Sequence, residues 1–114
     1  MILKYIQNAK RIVIKIGSAL LFNPVRGEAR KDWMKALAAD VADLHSQGSQ
    51  VILISSGSIA LGRRHLGLSN KTIRLEEKQA AAATGQVELA QLWSDALADE
   101  GLRAGQILLA PEDT

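Results

Sequence analysis

The chain has 114 residues, 47% hydrophobic and 23% charged, with a formal net charge of +2, which suits one globular domain with a core and excludes a disordered tail. It contains no cysteine, so disulfide frameworks and thiolate chemistry are excluded, and a reducing, cytoplasmic setting is compatible. Residues 1–35 carry a net +6 and the remainder −4, yet no aromatic interleaving or zinc spacing accompanies the basic third and no apolar run reaches membrane-spanning length, so neither nucleic acid nor membrane is an expected partner.

Residues 1–10 (MILKYIQNAK) show no firm period and lack the apolar core and cleavage pattern of a signal peptide. Arg11 to Ile16 (RIVIKI) reads as the first strand, with Lys15 the one charge inside an apolar run. A lysine there is costly to bury unpaired, so it should lie near the strand's end and meet an anion or reach solvent. Gly17 and Ser18 follow, offering backbone that a ligand can approach and a hydroxyl. Asn23 to Glu28, with Pro24 and Gly27, reads as a surface loop. A helix is expected from about Ala29 to Gln47, with Trp33, Leu37, Val41 and Leu44 forming one apolar stripe and Gly48 closing it as the C′ residue.

Gln50 to Ser55 is the second strand. Val51 to Ile54 show no polar alternation, the pattern of a strand covered on both faces. Ser55, Ser56, Gly57 and Ser58 then bring small polar groups to the strand's carboxyl end, where open α/β sheets place ligands. Ile59 to Leu61 could start a short helix over that turn, its first N–H groups pointing back toward the strand end. Arg63, Arg64 and His65 are either ligand-facing or an ordinary solvated face, and His65 alone is no evidence for metal or acid–base work. A loop over Leu68 to Arg74 leads to a long helix, about Leu75 to Asp99, with Leu89, Trp93 and Leu97 on one stripe. Its small-residue run, Ala80 to Gly85, invites a close neighbour. Ala104 to Ala110 reads as a third strand, after which Pro111 to Thr114 turn outward.

The order β-α-β-(short α)-α-β implies an α/β fold: a three-layer α-β-α sandwich on a mainly parallel sheet, ending after the third strand, with further strands expected from sequence beyond it. Neither glycine exit is a standard nucleotide loop, since GxxxxGK[ST] and GxGxxG are both absent, as is GxSxG, and the two histidines lack metal-ligand spacing. What remains is one strand-end lysine and two small hydroxyl-bearing turns, a set suited to phosphoryl transfer, where a protein positions two substrates and neutralises charge. In that reading Lys15 neutralises the moving charge, Gly17 and Ser18 hold nucleotide phosphates, and Ser56 with Gly57 holds the acceptor. The residues by themselves support only an α/β anion-binding domain.

The stretches RIVIKIGSALL, VILISSGSIALG and LEEKQAAAATGQVELAQLW followed by GQILLAPEDT closely resemble the bacterial glutamate 5-kinase family of the amino acid kinase superfamily, from about Lys10 to Thr114. The resemblance implies an ATP-dependent phosphotransferase that makes L-glutamyl 5-phosphate from L-glutamate, the first step of proline biosynthesis, in the cytoplasm. The family's strand-one lysine, which contacts ATP and the transferring phosphoryl group, falls on Lys15, with Gly17 and Ser18 beside it; the glutamate-holding serine and glycine fall on Ser56 and Gly57. Ser58 stands where alanine is common. The family is at least twice this length, so the resemblance places residues 1–114 in the amino-terminal part of a single kinase domain, with an aspartate, an asparagine and most of the ATP site lying beyond Thr114 and no turnover expected from these residues alone. It also implies a homo-oligomer. Magnesium is expected with ATP, although no carboxylate here is an obvious ligand. Acetylglutamate kinase, aspartokinase and other enzymes of the same fold are the alternatives, as is a non-catalytic assembly module; the KQAAAATGQ run argues for the glutamate enzyme.

Overall fold

The structure is a computed structural model and describes residues 5, 8–23, 28–68 and 74–107. Strand β1 spans Arg11–Ile16 and β2 spans Gln50–Ser55. They pair in parallel, with Arg11 opposite Gln50, Lys15 opposite Ile54 and Ile16 opposite Ser55. Parallel neighbours need a long crossover. It consists of a single helical turn, α1 (Ser18–Leu21), and helix α2 (Lys31–Ser46). After β2 come α3 (Ser58–His65) and the long α4 (Leu75–Ala98). The α/β order and the parallel sheet expected from the sequence are therefore present. Both strands have the expected bounds.

Each helix is built where its sequence permits. In α2 the most deeply buried residues are Met34, Ala38 and Val41; Val41 belongs to the expected stripe, and Met34 and Ala38 lie one position beyond its Trp33 and Leu37. Trp33 and Leu37 are half-buried against the core. The α2 helix ends on Gln47, and Gly48 then takes φ +95 as the C′ residue. On α4 the stripe is longer than expected: Ala81, Gly85, Leu89, Trp93 and Leu97, four residues apart, are all buried. The core joins Leu89, Trp93 and Leu97 of this stripe to Ile16, Leu21, Phe22, Met34, Val41 and Leu61.

The small-residue run of α4 receives α3. A Cβ added at Gly62 of α3 would fall on the Ala81 carbonyl, and one added at Gly85 would fall on the Ser58 carbonyl. Two glycines thus let the helix backbones touch. The Ser49 hydroxyl, buried just before β2, donates to the Ala9 carbonyl at 2.7 Å, which satisfies a group that would be costly to bury alone.

Three sequence expectations change. Among the described residues the strands are covered on one face only: Ile14, Ile16, Val51 and Leu53 pack on the core, while Val13, Ile52 and Ile54 are 56%, 46% and 50% exposed. An unbroken apolar run cannot reveal whether both faces have a partner. Of the third strand expected over Ala104 to Ala110, residues 104–107 pair with neither strand and Ile107 is exposed; residues 108–110 lie outside the described residues. The expected glycine-serine turn after β1 is a helical turn, and the short helix after β2 extends to His65, taking in Arg63, Arg64 and His65.

Candidate functional site

Because β1 and β2 are parallel and in register, their carboxyl ends lie side by side. The five sequence candidates, Lys15, Gly17, Ser18, Ser56 and Gly57, all fall on this edge. The link between the two exits is direct. Ser56 donates its backbone N–H to the Ile16 carbonyl at 3.1 Å and its hydroxyl to the same oxygen at 3.3 Å. With its proton committed to Ile16, the Ser56 oxygen keeps lone pairs toward solvent and can accept from a ligand cation such as an ammonium group.

Gly57 begins α3 as its N-cap at φ +116, a conformation that side chains rarely adopt. A methyl group there would also come within 2.5 Å of the Phe22 ring. The α3 turn that follows leads Ser58, Ile59 and Ala60 away from this point with their N–H groups at the start of the helix, a favourable setting for a carboxylate. Behind the turn, the Trp93 indole N–H donates to the Ser55 hydroxyl at 3.1 Å. Long helix and strand end are thereby tied.

On the other exit, Gly17 is extended at φ −78, ψ 155 and is the N-cap of α1. Nothing lies within 4 Å of where its Cβ would be, so its backbone is open to a ligand. Ser18 is exposed beside it. Lys15 is exposed on the sheet face away from the helices, one position before the strand's end; the expected burial cost does not arise, and its ammonium is available to an anion at that edge. Among the described residues no three His, Cys, Asp or Glu side chains converge as a metal site. Nor is any described helix long and apolar enough to cross a membrane.

A cleft of about 1070 Å³ lies elsewhere, lined among others by Arg30, Lys31, Asp32, Arg64, His65 and Glu88. It accounts for Arg64 and His65 as part of a mixed-charge groove and contains none of the five candidates. Sequence reasoning missed Phe22, Trp93 and Ser55 as supports of the strand ends. Phe22 is the one phenylalanine in the chain, a signal only in retrospect. Trp93 was visible as a stripe residue, but its indole partner, 38 positions away, was not.

Residues 10–114 match the amino acid kinase family. The glutamate 5-kinase of Rhodopseudomonas palustris (strain BisB18) is 52% identical over 109 residues, covering 96% of this chain and 29% of that protein. The glutamate 5-kinase of Gluconobacter oxydans (strain 621H) is 54% identical over 106 residues, 93% of this chain and 28% of that protein. That of Rhodopseudomonas palustris (strain BisA53) is 52% identical over 114 residues, covering the whole chain and 30% of that protein. The chain thus spans a little under a third of these relatives' length.

Proposed function

Given that the chain belongs to the amino acid kinase family, we propose that it forms the acceptor side of a glutamate 5-kinase, as the amino-terminal part of one kinase domain. The observation that carries this reading is the pair of hydrogen bonds from Ser56 to Ile16, because they hold an amino acid turn directly beside a lysine-glycine-serine exit. The names of the relatives supply the substrate. In this reading a side-chain carboxylate oxygen of L-glutamate attacks the γ-phosphorus of ATP, the bond from that phosphorus to the β–γ bridging oxygen breaks, and ADP leaves. Lys15 neutralises charge on the transferring oxygens. Gly17 and Ser18 hold the nucleotide phosphates. Ser56 and Gly57 hold the glutamate, Ser56 accepting from its ammonium group.

An exposed cation, an open glycine backbone and an exposed hydroxyl fit a phosphate chain. The described residues offer no carboxylate cluster for magnesium, and no step is assigned to it. Homo-oligomerisation and a cytoplasmic setting belong to the same proposal, with light scattering of the purified protein the check on the first. The experiment for the reaction is ADP release by an enzyme of the relatives' length carrying this chain, with L-glutamate, N-acetyl-L-glutamate and L-aspartate compared. Preference for L-glutamate is expected; preference for either of the others sinks the reading. The 114-residue chain on its own is expected to give no ATP- and glutamate-dependent turnover.

A further inference from the structure

We propose that Phe22 is a positioning residue for the acceptor turn, the inference resting on the reading that Ser56 and Gly57 hold glutamate. Phe22 is rooted on the first strand's exit. It caps α1, its N–H donating to the Ser18 carbonyl at 3.0 Å, and it forms an isolated antiparallel bridge with Ala29. Two flanking hydrogen bonds hold the same segment: Arg30 N–H donates to the Leu21 carbonyl at 2.7 Å, and Asn23 N–H to the Glu28 carbonyl at 2.9 Å. The side chain is 7% exposed, so the ring has little room to swing aside.

That ring forms the floor beneath Gly57. Its Cε2, Cζ and Cδ2 atoms are the three nearest to where a Cβ on Gly57 would be. The acceptor turn therefore rests on two supports from the first exit: the Ile16 carbonyl takes Ser56, and the Phe22 ring sets the height of Gly57. α1 connects Gly17 and Ser18 to Phe22 through hydrogen-bonded backbone, so the phosphate-facing segment and the support of the glutamate-facing turn are parts of one hydrogen-bonded segment.

The test uses an enzyme of the relatives' length carrying this chain, with the amide resonances of Ser56 and Gly57 and the Kd for L-glutamate as readouts. Phe22→Leu keeps an apolar side chain but removes the flat ring. It is expected to move both amides while leaving Val51 to Leu53 in place, and to raise the Kd about tenfold, the cost of one misplaced hydrogen-bonding turn. Gly57→Ala should damage binding more in the wild-type background than in Phe22→Leu, because the smaller leucine leaves room for the methyl group. Unmoved amides with an unchanged Kd, or strictly additive effects of the two substitutions, overturn the proposal. Where Phe22→Leu does not fold, Gly57→Ala alone decides: wild-type Phe22 ring resonances and wild-type affinity overturn it. If the amides move in Phe22→Leu and yet no variant binds L-glutamate, Phe22 stands as the support of the turn and the glutamate reading falls.

Discussion

Lys15, near the end of β1, and Ser56, just after β2, lie at one edge but are held differently, and this separates their expected roles. Lys15 is exposed at a strand end, so removing its ammonium leaves the fold intact and takes away charge neutralisation. In an enzyme of the relatives' length, Lys15→Ala should lower kcat by about 10²-fold or more with little change in the KM for glutamate. Ser56 is instead bonded to Ile16 through two groups, and Ser56→Ala removes only the hydroxyl. The KM for glutamate should rise about tenfold while kcat stays near wild type. Steady-state kinetics on both variants check the division, and the reverse pattern would exchange the two assignments. That the two strand exits meet at one edge was legible in the sequence, because strand ends and small polar turns are local signals. Their supports were not: the bond from Trp93 to Ser55 joins positions 38 apart, and the Phe22 ring meets Gly57 only through the fold.

Helix α4 tests whether small residues are there for close packing. In an ordinary helix, Gly→Ala gains about 1 kcal/mol. Gly85→Ala should have the opposite sign, since its Cβ would fall on the Ser58 carbonyl, and backbone cannot yield as a side-chain tip can. A loss of about 3 kcal/mol is expected, read from urea midpoints, whereas a gain would show that α3 does not press on α4. The run AAAATG announced a close neighbour without identifying it, because nothing local names the partner helix. At the amino end of α4, Glu77 accepts the Arg74 backbone N–H at 3.0 Å, and this bond, aided by the Arg74 charge, lowers its carboxyl below the usual glutamate range. A depressed carboxylate contributes stability above its unfolded value, about 4.3, and loses it as pH falls through the folded value. The first turn of α4 should therefore fray on acidification below about pH 4. Glu77→Gln should remove that pH dependence in amide exchange of residues 75–78.

At the scale of the whole molecule, the sheet is what the sequence described least completely. The bounds and parallel pairing of both strands follow from their apolar runs and the length of the crossover. The cover on each face does not, because β-branched residues on an open face read the same as buried ones. Helices cover Ile14, Val51 and Leu53, whereas Val13, Ile52 and Ile54 lie side by side on the other face, roughly half exposed. In the 114-residue chain, Ile52→Thr should change stability by no more than about 0.5 kcal/mol, while Leu53→Ala, one position along and facing the core, should cost about 2 kcal/mol. The three-layer sandwich expected from the sequence requires a second layer over the open face. In an enzyme of the relatives' length, Ile52→Thr should then become as costly as Leu53→Ala, because a hydroxyl would replace apolar surface inside a packed layer. Denaturant unfolding of the four variants and their two parents decides it: a cost at Ile52 that appears only in the longer protein places a second layer on this face, and one that stays small in both leaves the face open to solvent.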